Sequence, residues 1–302
     1  MKKPTLLVTG GTGLVGSALK DLGISDYYCI FLSSKTCDLT DFTTTYKLFE
    51  NVKPEYVIHL AACVGGLFKN MTQKVKMLED NLAINTNVLK CSKMFGVRRL
   101  VACLSTCIFP DKVEYPITVD DLHKGPPHDS NSGYAYAKRI LEFQCRTYNQ
   151  TFGTNFVCVV PTNMYGPHDN FHPDDSHVIP ALIRACHMAK MQGGPFVVRG
   201  SGKPLRQFMY SGDFARFLMK TLESKTNETS IIAPSMEFSI CELAHYIKEA
   251  IGYDDPVTFD ESFSDGQYRK TVIGENFDFT SLEDGIQKTV DWYLKNLDKL
   301  RV

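Results

Sequence analysis

Thr9-Gly10-Gly11-Thr12-Gly13-Leu14-Val15-Gly16 is the stretch on which the reading of this chain turns. It follows a short apolar run, Thr5–Thr9, that reads as a strand, and it opens an amphipathic run, Leu14–Asp21, that reads as a helix. Gly10 permits a tight turn, Gly13 lets the main chain approach a pyrophosphate, and Gly16 allows the helix to lie close on the sheet. Free N–H groups at the positive end of that helix then face the phosphates. Three glycines alone are weak evidence, but strand, turn and helix stand here in the order the motif requires.

Outward from that turn, short apolar runs alternate with longer amphipathic ones. Tyr28–Leu32, Tyr56–Leu60, Leu100–Ser105 and Phe156–Val160 read as further strands, and Phe42–Asn51, Lys74–Phe95 and Gly133–Phe152 as the helices between them. Continuous apolar strands separated by helices form a parallel sheet covered on both faces, so the expected fold is α/β, a Rossmann-type doubly wound parallel sheet. After Pro161 the texture changes. Tyr165-Gly-Pro-His-Asp-Asn-Phe-His-Pro-Asp-Asp-Ser-His177 holds too many turn formers for a regular element, and loops of that length tend to carry function. Helices over Ile179–Met191, Ser211–Leu222, Ile240–Ile251 and Leu282–Leu297 follow, with strands at Pro195–Arg199 and Val257–Phe259. The expected division is a dinucleotide-binding domain of residues 1–162 plus about 208–235, and a smaller C-terminal α/β substrate-binding lobe of 163–207 plus 236–302.

Bulk properties narrow the function classes. The 302 residues suffice for about two lobes of roughly 150 residues each, and 43% hydrophobic with 22% charged residues is the balance of an ordinary globular protein. A net charge of −1 gives no positive field to hold a nucleic-acid backbone, so nucleic acid is not an expected partner. The ten cysteines stand singly, without a C-x-x-C pair or a Cys/His cluster at zinc spacing. Neither a disulfide framework nor a metal is expected, and a reducing cytoplasm fits best. The basic head Met1-Lys2-Lys3 precedes an apolar run of only about four residues, too short for a signal peptide. No stretch approaches the roughly 18 apolar residues of a membrane span, so no membrane association is expected and the N-x-T triplets at Asn70, Asn149 and Asn227 carry no meaning.

At the end of the second strand, where NAD-selective sites place an acidic residue for the ribose 2′-hydroxyl, the chain reads Leu32-Ser33-Ser34-Lys35. Hydroxyls and an ammonium suit a 2′-phosphate, which favours NADP(H); the alternative for Lys35 is a solvated loop lysine. Asp38-Leu39 and Leu60-Ala61-Ala62 are expected along the adenine and pyrophosphate side. Tyr134 and Lys138 share one face near the start of a helix, where a nearby ammonium lowers a phenol's pKa and readies it to exchange a proton with a carbonyl oxygen. A Y-x-x-x-K pair is common by chance. What raises its weight is Ser105 at the end of the fourth strand, whose hydroxyl can reach the same carbonyl.

A glycine-rich turn followed by Ser105, Tyr134 and Lys138 in that order resembles the extended short-chain dehydrogenase/reductase family over essentially the whole chain. Within it, four segments are similar to those of epimerase/reductases that act on a GDP-bound 4-keto-6-deoxy sugar. They are Val64-Gly-Gly-Leu67, Ser105-Thr-Cys-Ile-Phe-Pro110, Pro161-Thr-Asn-Met-Tyr-Gly-Pro-His-Asp-Asn-Phe171 with Ser176-His-Val-Ile-Pro180, and Ser264-Asp-Gly-Gln-Tyr-Arg-Lys270. The resemblance implies epimerisation of GDP-4-keto-6-deoxy-D-mannose at carbons 3 and 5, then reduction of the carbon-4 ketone by NADPH to give GDP-L-fucose. It assigns Cys107 and His177 as the acid/base pair flanking the sugar, a thiol and an imidazole both titrating near neutrality. Without it, Cys107 reads as a small buried hydrophobe and His177 as a loop histidine.

The resemblance also implies that Pro161, Asn163, Met164 and His177 border the cofactor, and that Asn163, Val178, Arg184, Arg199, Arg206, Asp265 and Lys270 join Ser105 and Cys107 in holding the GDP-sugar. Two positions depart from the pattern: Arg199 stands where relatives have Trp, and Ala185 where a basic residue often follows Arg184. A homodimer through Lys74–Phe95 and Gly133–Phe152 is implied as well. Competing readings are a 4-epimerase or 4,6-dehydratase of the same fold, or a non-catalytic NADP-binding protein. Dehydratases typically carry an Asp-Glu pair after the serine, where this chain has Thr106-Cys107.

Overall fold

The computed structural model describes residues 2–173, 175–265 and 268–300. Gly266 and Gln267 of the segment Ser264–Lys270, and Asp174 of the turn-rich loop, lie outside the described residues, as does the side chain of Leu67.

The first half runs Thr5–Thr9 (β1), Leu14–Asp21 (α1), Tyr28–Phe31 (β2), Phe42–Val52 (α2), Tyr56–His59 (β3), Leu67–Thr72 (α3), Lys74–Met94 (α4), Arg99–Cys103 (β4), Ser132–Phe152 (α5) and Phe156–Pro161 (β5). The second half runs Asn163–Tyr165 (β6), Val178–Gln192 (α6), Phe196–Arg199 (β7), Leu205–Arg206 (β8), Phe208–Tyr210 (β9), Ser211–Glu223 (α7), Ser230–Ile232 (β10), Phe238–Ser239 (β11), Ile240–Ile251 (α8), Val257–Asp260 (β12), Arg269–Lys270 (β13) and Leu282–Lys295 (α9).

Six strands form one sheet in the order β10-β5-β4-β3-β1-β2, and every neighbouring pair is parallel. This is the doubly wound α/β sheet expected from the sequence. Every residue of β4 and β5 is buried, which is why those strands are apolar throughout rather than alternating. On β1 the side chains part by the period of two: Leu7 packs with Phe49, Val88 and Leu141 of α2, α4 and α5, while Leu6 and Val8 pack with Leu19, Phe214 and Phe217 of α1 and α7. A third core lies between α6, α8 and α9, where Phe171, Ile183, Phe196, Leu243, Ile247 and Ile286 are fully buried. The strand order reverses between β1 and β3, and such a switch opens a crevice beyond the carboxyl ends of the strands.

The sequence reading missed α3 and the strands of two or three residues. Leu67–Thr72 is only six residues long behind two glycines, too short to show a period. Ser230–Ile232 owes its strand form to pairing with β5 rather than to any run of its own. The fourth strand ends at Cys103, two residues sooner than read, and Ser105 caps a 3-10 turn over Thr106–Ile108.

Candidate active site

The β1–α1 turn is built as its glycines dictate. Gly10 has φ +68°, in the left-handed region, and the Gly13 N–H donates to its carbonyl oxygen at 3.0 Å. A Cβ on Gly16 would lie 2.5 Å from the Gly10 oxygen and from the Gly11 Cα, so no side chain fits there. A Cβ on Gly13 would meet only the Gly10 oxygen, at 3.4 Å, and would otherwise project into open space. Gly11 faces the sheet: its N–H donates to Leu32 at 2.7 Å and a Cβ would strike Phe31.

A cavity of about 930 Å³ starts at this turn. Gly10, Thr12, Gly13, Leu14, Val15 and Gly16 form its floor, with Ser34, Asp38, Leu39, Leu60, Ala61 and Ala62 beside them. Gly11 and Lys35 are the two candidate cofactor residues outside that lining; Lys35 is exposed. At the far end the same cavity is lined by Ser105, Tyr134, Lys138, Pro161, Asn163, Met164, His177 and Val178. The residues fit a dinucleotide: a main-chain cradle that a Cβ at Gly13 would fill, and three buried atoms of lining residues, Asn70 Oδ1, Thr162 Oγ1 and Ser176 Oγ, without a hydrogen-bond partner. The sequence reading missed those three. Asn70 sits on the unforeseen α3, where its amide donates to the carbonyls of Gly65 and Gly66 at 2.7 and 3.0 Å.

Tyr134 stands in the first turn of α5 and Lys138 one turn on, its Nζ 5.9 Å from the Tyr134 ring centre. The Lys138 ammonium, only 2% exposed, donates to the Cys103 carbonyl at 2.7 Å. Burial pushes the Tyr134 phenol well above its ordinary pKa, against the lowering expected from the ammonium alone. Beneath this end lies a buried hydrogen-bonded chain that no motif announces. Thr9 Oγ1 meets His59 Nδ1 at 2.8 Å, His59 Nε2 meets Asn85 Oδ1 at 3.1 Å, and the Leu60 and Ala61 N–H groups donate to Thr9 Oγ1. Burial, helped by the Lys138 charge, holds the His59 pKa down at about 3.

His177, exposed on the cavity wall just before α6, has its pKa lowered by the desolvation of that wall, opposed by Asp175. Cys107 lies two residues beyond Ser105, whose Oγ accepts from its N–H at 3.4 Å. The Cys107 side chain belongs to the buried core, is 9% exposed and lines neither cavity described here. Burial raises its thiol pKa, while Lys270, the Ser105 hydroxyl and Lys138 pull the other way.

A second cavity of about 210 Å³ shares Asn163 and Val178 with the first and is lined further by Arg199, Arg206 and Asp265. Asp265 accepts from the Ser201 N–H at 2.7 Å and its hydroxyl at 2.6 Å, holding the turn at Gly200 and Gly202, both at positive φ. The Arg199 guanidinium lies 4.9 Å from the centre of the Phe263 ring. Arg184 is not brought to either cavity; it donates to the Phe171 carbonyl at 3.3 Å and so holds the preceding loop. Lys270 also lies outside both linings, half-buried on β13 and close enough to Cys107 for their charges to couple.

Residues 6–233 match the model of the NAD dependent epimerase/dehydratase family. GDP-L-fucose synthase from Dictyostelium discoideum is 44% identical, with 99% of this chain and 98% of that protein aligned. Probable GDP-L-fucose synthase from Drosophila melanogaster is 43% identical over the full length of both. Among solved structures, a GDP-L-fucose synthetase from Naegleria fowleri bound to NADP superposes with a TM-score of 0.94 at 45% identity, covering 100% of this chain and 96% of that one. A glycine turn, a serine after β4, a tyrosine and lysine on α5 and a family match spanning three quarters of the sequence agree, and the chain belongs to the NAD dependent epimerase/dehydratase family.

Proposed function

We propose that this chain makes GDP-L-fucose, epimerising GDP-4-keto-6-deoxy-D-mannose at carbons 3 and 5 and reducing the carbon-4 ketone with NADPH. The observation that carries the proposal is one continuous cavity with the glycine cradle at one end and Ser105, Tyr134, Lys138 and His177 at the other, in a chain 44% identical to a GDP-L-fucose synthase. The Gly10–Gly16 cradle would hold NADPH, which would supply the hydride. Ser34 and the absence of an acidic residue at the end of β2 support a 2′-phosphate over a free ribose hydroxyl.

Epimerisation removes a proton beside the ketone on one face and returns one on the other. His177 stands at the cavity wall with its pKa lowered, which suits a base; Cys107, its thiol pKa raised by burial, suits an acid, and from its place in the core two residues beyond Ser105 the thiol has to turn toward the cavity to reach the sugar. Ser105 and Tyr134 hydrogen-bond the ketone oxygen and stabilise the enolate between the two steps. Tyr134, its phenol pKa raised by burial, then gives its proton to that oxygen as the ketone is reduced, and Lys138, whose own pKa burial lowers, stands one turn behind it. The nucleotide half occupies the second cavity, with Arg199, Arg206 and Asp265 around it, in a lobe of 163–207 plus 236–302; residues 1–162 plus about 208–235 form the cofactor domain.

A homodimer and a cytoplasmic setting belong to the same proposal. Tyr136, Ile140 and Phe143 leave an apolar stripe 37–54% exposed on α5, beside α4, and pairing two such faces would cover it. All ten cysteines are free thiols, as a reducing compartment would keep them. Among the described residues no helix is long and apolar enough to cross a membrane.

Mixing the pure protein with NADPH and GDP-4-keto-6-deoxy-D-mannose should consume nicotinamide absorbance and yield GDP-L-fucose. A protein that binds NADPH yet oxidises none of it with this ketone would remove the assignment.

A further inference from the structure

Arg139 is 8% exposed, and among the described residues no carboxylate pairs with its guanidinium, which lies 5.5 Å from the centre of the Tyr136 ring. Burying an unpaired cation is expensive unless its donors are filled, so its hydrogen bonds show what it is there for. Nε donates to the Ile108 carbonyl at 2.8 Å, Nη2 donates to the same oxygen, and Nη1 donates to the Gly125 carbonyl at 2.8 Å. Ile108 follows Cys107 directly. The preceding residue of α5, Lys138, grips the Cys103 carbonyl. Two adjacent cations thus clamp the chain on either side of Ser105 and Cys107, from the helix that also carries Tyr134.

The second carbonyl matters as much. Residues 109–124 leave the sheet on a long excursion, in which the Tyr115 hydroxyl donates to the Arg269 carbonyl at 2.6 Å and Ile117 bridges to Val272, either side of Lys270. Ile108 and Gly125 are the two ends of that excursion. By holding both, one guanidinium sets the Cys107 turn and the base of the loop that reaches Lys270, the cation whose charge eases the Cys107 thiol downward.

We propose that Arg139 is a positioning residue for Cys107: clamped on Ile108 and Gly125, it fixes the thiol relative to Tyr134 and to the sugar ring, without touching substrate itself. This rests on the epimerase reading above, and a neutral arginine mimic would leave the helix intact while releasing both carbonyls. In such a site a shift of about an ångström can reduce rate on the order of 10²-fold.

The test uses Arg139→Met and Arg139→Lys in the full chain, with two readouts. Without substrate, site-resolved alkylation by iodoacetamide should speed several-fold at Cys107 in Arg139→Met, while Cys145 and Cys158, 2% and 1% exposed, stay protected. With substrate, deuterium wash-in at carbons 3 and 5 should fall at least tenfold on the way to the 10²-fold scale, with NADPH affinity kept and Arg139→Lys, which still reaches one carbonyl, recovering part of the loss. Faster alkylation at all three cysteines would mean general loosening and would overturn the positioning role. So would unchanged Cys107 alkylation, or wash-in that survives a loosened Cys107. If the unaltered protein oxidises no NADPH with the keto-sugar, the epimerase reading fails by itself, and the alkylation contrast still decides whether Arg139 holds the Cys107 turn.

Discussion

The two cavities of this molecule are made of different material. The larger is walled at its cradle by main chain: the turn at Gly10–Gly16, the N–H groups of a helix start, the ends of β2 and β3. The smaller is walled by side chains scattered over short strands, turns and helix starts, and two of them already serve their own backbone, Asp265 through Ser201 and Arg206 through the carbonyls of Leu205 and Tyr268. A main-chain wall allows only glycine at fixed spacings, whereas a side-chain wall can be built by many residues from many places. The first kind leaves a signature in the sequence and the second does not.

The largest effect belongs where the main-chain cavity meets its chemistry. Tyr134→Phe removes one oxygen from a half-buried phenol and leaves the ring's packing on α5. NADPH oxidation with the keto-sugar should drop on the order of 10²- to 10⁴-fold, the range for a lost general acid, with NADPH affinity within about threefold. A variant that turns over normally would take Tyr134 out of the reaction and leave the Ser105 hydroxyl as the proton source.

Within the cradle, two glycines should fail differently. Gly16→Val would drive carbon atoms into the Gly10 and Gly11 backbone, which cannot give way, and should cost about 1–3 kcal/mol or more of stability, read as a lower urea midpoint. Gly13→Ala meets nothing closer than 3.4 Å, so the fold should stand while the methyl occupies the phosphate space and NADPH binds about tenfold more weakly. Equal NADPH affinity in Gly13→Ala would place the phosphates elsewhere and erase the contrast between the two cavities.

Legibility followed that same contrast. The helices Leu14–Asp21 and Ile240–Ile251 were readable to the residue because each couples a clear period to a firm start and stop: Gly13 before the first, and the Ser239/Glu242 capping box and Gly252 around the second. Ser105, Tyr134, Lys138 and His177 stood out by spacing and by resemblance. Asn70, Thr162 and Ser176 did not, since an amide or hydroxyl is common in any sequence and only the fold shows which ones end with a buried atom lacking a partner. Arg184 and Lys35 are hard to place for the converse reason: a cation near a site in sequence has a long side chain, and here Arg184 donates to the Phe171 carbonyl while Lys35 is exposed.

The buried His59 gives the main-chain cavity a pH dependence that the other should lack. Its pKa is depressed from 6.5 to about 3 in the folded protein. Above 6.5 it is neutral folded or unfolded and adds no pH dependence. As pH falls below 6.5 the unfolded chain takes up a proton that the native state refuses, so stability declines, by up to about 1.4 kcal/mol per pH unit, until pH approaches 3. Urea unfolding at pH 6.5 and 5.5 should show the unaltered protein losing roughly 1 kcal/mol more than His59→Gln, which keeps a neutral amide against Thr9 and Asn85. Parallel losses in both proteins would mean that other groups govern the acid limb.

The smallest effect is expected in the side-chain cavity, and it is the one that most directly tests what that cavity holds. The Arg199 guanidinium lies over the exposed Phe263 ring, so the flat surface offered to a base is a cation backed by an arene. An exposed cation–π pair contributes about 0.5–1 kcal/mol, roughly two- to fivefold in affinity. GDP titrated by calorimetry should therefore bind two- to fivefold more weakly to Arg199→Ala, and Phe263→Ala should lose about as much by freeing the guanidinium. NADPH affinity should not move in either variant. UDP and dTDP, with smaller bases, should lose less than GDP, because less of the platform lies beneath them. GDP affinity unchanged in both variants would mean that the base does not rest on this pair. A loss shared by NADPH would mean that the two cavities, for all their difference in construction, are coupled through Asn163 and Val178, which line both.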